Sequence, residues 1–218
     1  MAKNLYLMRH AETLFNLQRK TQGWCDSPLT ERGREQARIA GRELAGRGVT
    51  FDHAFCSAER ASDTLELAMG ELAQEPLPYE RLKDLREVGF GAYEGKDAYL
   101  EPTGDIRETY FVPFGGERPS EVGARMERAL VGIMGRDGCQ SVLVVSHAGA
   151  MLSFYRRWLA HSEVDFQTFC NCQTFHYHVE GERFACVEII DPDLSALESP
   201  DMPAQTRHLR RPLKAHGA

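Results

Sequence analysis

Ser141-Val-Leu-Val-Val145 constrains the fold of this chain more than any other stretch. The run is β-branched, flanked by turn residues, and passes without a linker into Ser146-His147 and a helical repeat of Leu152, Tyr155 and Leu159. Two earlier runs behave alike: residues 4–8 end on Arg9-His10, and His53-Ala-Phe-Cys56 ends on Ser57 with Arg60 close behind. A strand that hands over directly to a helix needs a crossover before its next neighbour, so such units build a parallel sheet rather than hairpins. The helices are marked by Thr30 as a cap ahead of Ala37, Ala40 and Leu44, with Gly46 and Gly48 as the stop. Ala61, Leu65, Ala68 and Leu72 trace a second face. Ser120 is the expected cap of a third, in which Val122, Met126, Ala129, Leu130, Ile133 and Met134 recur before Gly135 and Gly138. Two last strands, about 173–179 and 184–190, are joined by Glu180-Gly181-Glu182. The expected fold class is α/β: one three-layer α/β/α domain, a mostly parallel sheet with helices on both faces.

That domain is expected over residues 1–190 of the 218. A chain of this size buries roughly 70% of its unfolded surface, enough for a core without disulfide or structural metal. Residues 74–116, with Pro76, Pro78, Pro102 and Pro113, read as loop with short elements, and long loops in compact domains are usually functional or mobile. Residues 191–218 read as a C-terminal tail, four acids and no base up to 203 and four bases and no acid after it. With 26 Lys and Arg against 32 Asp and Glu, the net charge of −6 argues against a nucleic-acid partner, whose phosphates call for clustered cations. No stretch approaches the ~18 apolar residues of a membrane span, and Arg9-His10 interrupts the N-terminal run before a signal-peptide core forms, so the expected location is cytoplasmic, with no membrane partner. Six scattered cysteines show no paired zinc spacing; Cys170 and Cys172 read as reduced residues, and no metal and no cofactor are expected.

Ligands of open α/β sheets bind beyond the carboxyl ends of the strands. There the three strand-to-helix units place Arg9-His10, Ser57 with Arg60, and Ser146-His147. Singly each has a bland reading: a solvated first-turn arginine, a satisfied interior histidine, a loop histidine. Together they put two histidines and two arginines at equivalent positions of one sheet end. Two guanidiniums offer donor forks that match a tetrahedral oxyanion, and helix N-termini after Ser57 and His147 add backbone N–H groups. A neutral imidazole can attack phosphorus and split one displacement into two, while a second, protonated, imidazole stabilises the equatorial oxygens.

Leu7-Met-Arg9-His10-Ala11-Glu12-Thr13 resembles the R-H-G-E signature of the histidine phosphatase superfamily, also called phosphoglycerate mutase-like, with Ala11 where the family usually has Gly. Further segments match in order. Asn16 follows the signature, and Gln22-Gly-Trp-Cys-Asp26-Ser-Pro28-Leu-Thr30 resembles a G-x-x-D-x-P-L-T stretch, continued by Gly33 and Gln36-Ala37. Ser57-x-x-Arg60-Ala61-x-x-Thr64 resembles the second phosphate-binding segment, and Leu85-Arg-Glu87-Val-Gly-Phe-Gly91-Ala-Tyr93-Glu94-Gly95 the acid loop. Gly115-Gly116-Glu117 with Arg125 resembles the G-G-E-S segment, Arg118 replacing Ser, and Val145-Ser146-His147-Ala148-Gly149 the second histidine motif, again with Ala for Gly. The resemblance covers about residues 4–180. It implies a phosphoglycerate mutase-like fold, His10 as nucleophile, Glu87 as general acid, and His147, Arg9 and Arg60 as the rest of the phosphate pocket. Asn16, Gln22 and Ser57 are implied as supporting contacts, and Ala148 as a lining residue. Enclosure near Val88 and Phe90 is expected to raise the Glu87 pKa and keep it protonated for donation. A surface Glu is the bland reading.

Three rival motifs fail. Gly89-x-Gly91-x-x-x-Gly95 has the wrong spacing for a dinucleotide loop, and Cys25 to Arg32 has one residue too many for a cysteine phosphatase. Val187-Glu-Ile-Ile-Asp191-Pro-Asp193 has too little chain after it for an aspartyl-phosphate domain, so its acids are expected to end a strand. Within the family the fork is hydrolase against mutase. The resemblance ties a mutase to an acid segment like E-R-H-Y-G and a long basic insertion after it; here the segment is Glu87-Val-Gly-Phe-Gly, and residues 96–116 bring only Lys96 and Arg107. The expectation is metal-independent hydrolysis of a small phosphomonoester, with Tyr99, Tyr110, Phe111 and Phe114 of the variable 96–114 region shaping the choice of substrate. A cofactor-dependent phosphoglycerate mutase is the alternative, and a non-catalytic phospho-ligand-binding protein is the alternative of another class. A homodimer is left open.

Overall fold

The computed structural model describes residues 2–57, 59–75, 77–165 and 169–197. In chain order the elements are β1 (Lys3–Arg9), α1 (Leu14–Leu17), α2 (Glu31–Gly46), β2 (His53–Cys56), α3 (Glu59–Met69), β3 (Tyr79–Arg81), α4 (Arg107–Tyr110), α5 (Pro119–Met134), β4 (Ser141–Ser146), α6 (Ala148–Arg157), β5 (Thr174–Glu180) and β6 (Arg183–Ile190). The six strands form one sheet in the order β3-β2-β4-β1-β5-β6. β1, β2, β3 and β4 pair in parallel, whereas β5 runs antiparallel to both β1 and β6. The tight Gly181 turn, at φ +59°, closes the only direct strand-to-strand connection among the described residues, which is why the antiparallel pairing of β5 with β6 appears there.

Alternation along the strands sorts side chains into two cores. Leu5, Leu7, Phe55, Val142 and Val144 face α5 and α6, whose Val122, Met126, Leu130, Ala150, Met151 and Phe154 complete that layer. Tyr6, Met8, Ala54, Cys56, Leu143 and Val145 face α2 and α3, through Ala37, Ala40, Leu44, Ala61, Leu65 and Ala68. The three-layer α/β/α arrangement expected of the sequence is therefore present.

Several local expectations shift. The α5 cap is Arg118, not Ser120: Pro119 occupies the first turn, where its fixed φ suits a helix start, and Glu121 reaches back to the Arg118 N–H at 3.3 Å. The buried face of α6 is Ala150, Met151, Ser153, Phe154 and Tyr155 rather than Leu152-Tyr155-Leu159; the helix ends at Arg157 and Leu159 is exposed. Leu72 lies beyond the end of α3 yet is buried. Residues 74–116 hold β3, which joins the parallel sheet by pairing Ala54 with Tyr79 and Cys56 with Arg81. Three residues are too short for a periodic signal. Asp191 follows the end of β6, as expected, and accepts from Gln173 Nε2 at 2.6 Å. The basic part of the tail, 204–218, lies outside the described residues. Among the described residues no helix is long and apolar enough to cross a membrane.

Candidate active site

The end of β1 is bound on every side. Arg9 N–H donates to Gln173 O at 2.9 Å, His10 N–H to Ser146 O at 3.0 Å, Ala11 N–H to Thr64 Oγ1 at 3.0 Å and Glu12 N–H to Gln36 Oε1 at 2.9 Å. The Glu12 carboxylate, itself buried, is held by Thr30 Oγ1 at 2.8 Å and Arg32 Nη1 at 2.7 Å. Gly33 lets α2 close on this loop, since a Cβ there would fall 2.1 Å from the Glu12 carbonyl oxygen. With each successive N–H committed to a different element, the loop carrying His10 has one conformation.

Within that loop His10 Nδ1 lies 2.7 Å from the Ala11 carbonyl oxygen. A carbonyl only accepts, so Nδ1 carries the proton and Nε2 keeps its lone pair. Burial, with the charges of Arg60 and Arg9, holds the His10 pKa well below the ordinary 6.5, and the ring is neutral at pH 7. The His147 ring lies 5.2 Å away between centroids, tilted by 57°. Its Nε2 meets Ser57 Oγ at 2.5 Å, and burial with Arg60, His10, Arg125 and Arg9 likewise pulls its pKa well down. Two neutral imidazoles thus share a buried site with the guanidiniums of Arg9 and Arg60.

Two of the residues expected as supporting contacts are held by Thr13. Asn16, in α1, takes Thr13 N–H on Oδ1 at 3.2 Å, and Gln22 Oε1 accepts from Thr13 Oγ1 at 2.7 Å, so both amides are turned by Thr13. Arg60 departs from a free fork. Its Nη1 donates to Cys25 O and Asp26 Oδ1, both at 3.0 Å, and its Nη2 to Gly23 O at 2.9 Å, so it also fastens the loop from Gly23 to Asp26. Arg9 Nε, Gln22 Nε2, Arg60 Nε and His147 Nδ1 are buried with no partner among the described residues. Buried donors are rarely left unpaired in folded proteins, and four nitrogens on four of these residues suit an anionic guest.

Glu87 is buried, but its surroundings are polar rather than the apolar enclosure expected beside Val88 and Phe90. The carboxylate accepts from Val88 N at 2.8 Å and from Gly149 N and Ala150 N at 2.9 and 2.7 Å, at the N-terminus of α6. It is also close enough to Arg9 to oppose the lowering that burial imposes on that guanidinium. Its backbone carbonyl takes Trp24 Nε1–H at 3.0 Å and Arg125 Nη2–H at 2.8 Å. Arg125, buried on the inner face of α5, further donates to the carbonyls of Asp84 and Arg86 at 2.9 and 2.7 Å and pairs with Glu117 at 2.8 Å.

The methyl groups of both family departures pack against the hydrophobic cores. Ala11 is fully buried and belongs to the α2/α3 core; Ala148, first residue of α6, packs against the α5/α6 core. Of the loop aromatics, Tyr110, Phe111 and Phe114 pack with Tyr93 in edge-on contacts at 5.0 to 5.5 Å, which anchors the loop, while Tyr99 is exposed. Asn171, which the sequence reading passed over between two cysteines, donates to His10 O at 3.1 Å and to Asn16 Oδ1 at 3.4 Å. Arg125 was legible only as a motif match, although an arginine one turn from Val122 on an apolar face signals a buried charge that needs carbonyl partners.

The family model described as histidine phosphatase superfamily (branch 1) matches residues 5–192. The 2,3-bisphosphoglycerate-dependent phosphoglycerate mutase of Bradyrhizobium diazoefficiens is 40% identical over 130 residues, 56% of this chain and 63% of that protein, so the match spans less than two thirds of the mutase's length. The crystal structure of a phosphoglycerate mutase from Bacillus anthracis superposes with a TM-score of 0.75 at 23% identity, over 89% of this chain and 94% of that one. A phosphoserine phosphatase from Entamoeba histolytica does so with a TM-score of 0.69 at 23% identity, over 88% and 98%. At that identity both superpositions speak for the fold.

Proposed function

The chain belongs to the histidine phosphatase superfamily, branch 1, whose members are enzymes, and on that premise we propose that it hydrolyses a small phosphomonoester in the cytoplasm through a phosphohistidine at His10. The observation that carries this reading is the 2.7 Å bond from His10 Nδ1–H to the Ala11 carbonyl, which leaves Nε2 unprotonated in a site that also holds the guanidiniums of Arg9 and Arg60. In the first step Nε2 forms a bond to phosphorus as the P–O bond to the alcohol breaks. Arg9 and Arg60 Nε, with the amides of Asn16 and Gln22, hold the non-bridging oxygens; His147, neutral in the free enzyme, takes up a proton from solvent as the ester dianion binds. Glu87, a carboxylate in the free enzyme, takes up a proton from solvent as the ester binds and passes it to the leaving alkoxide, after which its carboxylate accepts one from the water that attacks phosphohistidine. The charge stabilisation comes from guanidiniums and imidazoles, and no metal enters these steps.

Phosphoglycerate mutase is the second reading, favoured by the name of the Bradyrhizobium relative. Against it, Arg107 is engaged with Glu101 at 2.9 Å and packs over Phe90, leaving Lys96 as the one cation of the 96–116 segment open to a substrate carboxylate. Phosphate release from a panel of phosphomonoesters in EDTA, including 3-phosphoglycerate with and without its bisphosphate, separates the readings. Hydrolysis is expected on several esters and is abolished in His10→Ala. Isomerisation of phosphoglycerate without release would establish the mutase, and silence on every ester, with retained ligand binding, the binding protein.

A further inference from the structure

The geometry points to a second, non-catalytic site: Asp52, His53 and Cys139 form a place for one divalent ion of borderline softness such as Zn2+, at the end of the sheet remote from His10. One ligand atom from each residue lies within 4.8 Å of the other two. His53 opens β2 with Asp52 just before it, and Cys139 sits in the turn between α5 and β4. Two features hold the set in place. Asp52 Oδ2 accepts the N–H groups of Gln140 and Ser141 at 2.8 and 2.9 Å, so the carboxylate cannot swing, and its Oδ1 faces His53 Nδ1 at 3.2 Å. Gly138, at φ +84°, brings the turn so near the imidazole that a Cβ there would be 3.3 Å from His53 Cε1.

The donor chemistry selects the ion. One sulfur, one imidazole nitrogen and one carboxylate oxygen suit Zn2+ and exclude the all-oxygen shells of Mg2+ and Ca2+. A thiolate and a carboxylate carry two negative charges, which a divalent ion neutralises. Zinc–ligand bonds of about 2.0–2.3 Å require the donors to close by roughly an ångström, and a water completes the tetrahedron on the half-exposed side. On binding, the Cys139 thiol proton leaves to solvent and the imidazole proton moves from Nδ1 to Nε2, so no redox partner is needed. Lys3 and Arg136, the cations beside the thiol, are engaged by the Met134 carbonyl and by Glu80.

Such an ion does not reach the phosphoryl pocket. His53 pairs with Val142 and Arg9 with Ser146, four residues or about 13 Å apart along β4. The ion instead staples the start of β2 to the turn before β4, and its effect is on stability and on occupancy by environmental zinc.

The test titrates the EDTA-treated full chain with Co2+ as a spectroscopic probe, then displaces it with Zn2+. A thiolate-to-cobalt charge-transfer band saturating at one equivalent is expected, lost in Cys139→Ser and shifted to more than about tenfold weaker binding in His53→Ala. Zn2+ is expected to raise the Tm of the wild type and not that of His53→Ala, a half-exposed position that tolerates truncation should Cys139→Ser fail to fold. Absence of the band in the wild type, or a band of equal strength in Cys139→Ser or His53→Ala, overturns the assignment.

Discussion

The proton on His10 Nδ1 is held by the Ala11 carbonyl, while burial beside Arg9 and Arg60 keeps the ring neutral, and His147 shares that environment. Both histidines therefore bind fewer protons folded than unfolded at mildly acid pH. Stability from this source is present above the unfolded value of 6.5 and is lost as pH falls from there toward the depressed folded values. Each histidine contributes a slope of at most about 1.4 kcal/mol per pH unit. Denaturant unfolding between pH 7 and 5 should show this decline, and His10→Asn should flatten it; an unchanged slope would mean that the ring titrates normally. Ala11 gives a second expectation. Its methyl is buried in the α2/α3 core, so Ala11→Gly should cost ~1 kcal/mol of stability while kcat and KM stay within about twofold. Residue types were readable from the chain, since Arg9, His10, Arg60 and His147 stand at strand ends. Their environments were not. Whether Glu87 meets apolar side chains or the N–H groups of Gly149 and Ala150 depends on a contact 62 residues away.

At the scale of elements, α5 governs the acid loop through Arg125, which gathers the carbonyls of Asp84, Arg86 and Glu87 and is neutralised by Glu117. Arg125→Met strands the Glu117 carboxylate and frees three carbonyls, and a loss of about 3–5 kcal/mol is expected by chemical denaturation. Below the melting transition, turnover should fall further for an alkyl phosphate than for p-nitrophenyl phosphate, whose leaving group needs little protonation, and Glu87→Gln should show the same asymmetry. Equal losses on both esters would detach Arg125 and Glu87 from proton donation. The long amphipathic elements α2 and α5 and the strand β4 were legible from periodicity. β3 was not, because its three residues gain strand character only from the β2 edge beside them, and the α5 start was misplaced by two residues because Pro119 outweighs a serine cap.

For the molecule as a whole, strands that hand over to helices fixed a parallel sheet and gathered the cationic groups at one end, leaving the remote end free for a different chemistry. The antiparallel edge was implied by the Gly181 hairpin; the strand order was not, since it depends on which crossover passes over which face. The account stands on His10 as the nucleophile, and rapid acid-free quenching of the enzyme with a 32P-labelled ester, followed by peptide mapping, tests that most directly. A base-stable, acid-labile label on the peptide bearing His10, formed before phosphate release and absent in His10→Ala, is the predicted result. Steady hydrolysis with no such label, or a label on another residue, would contradict it.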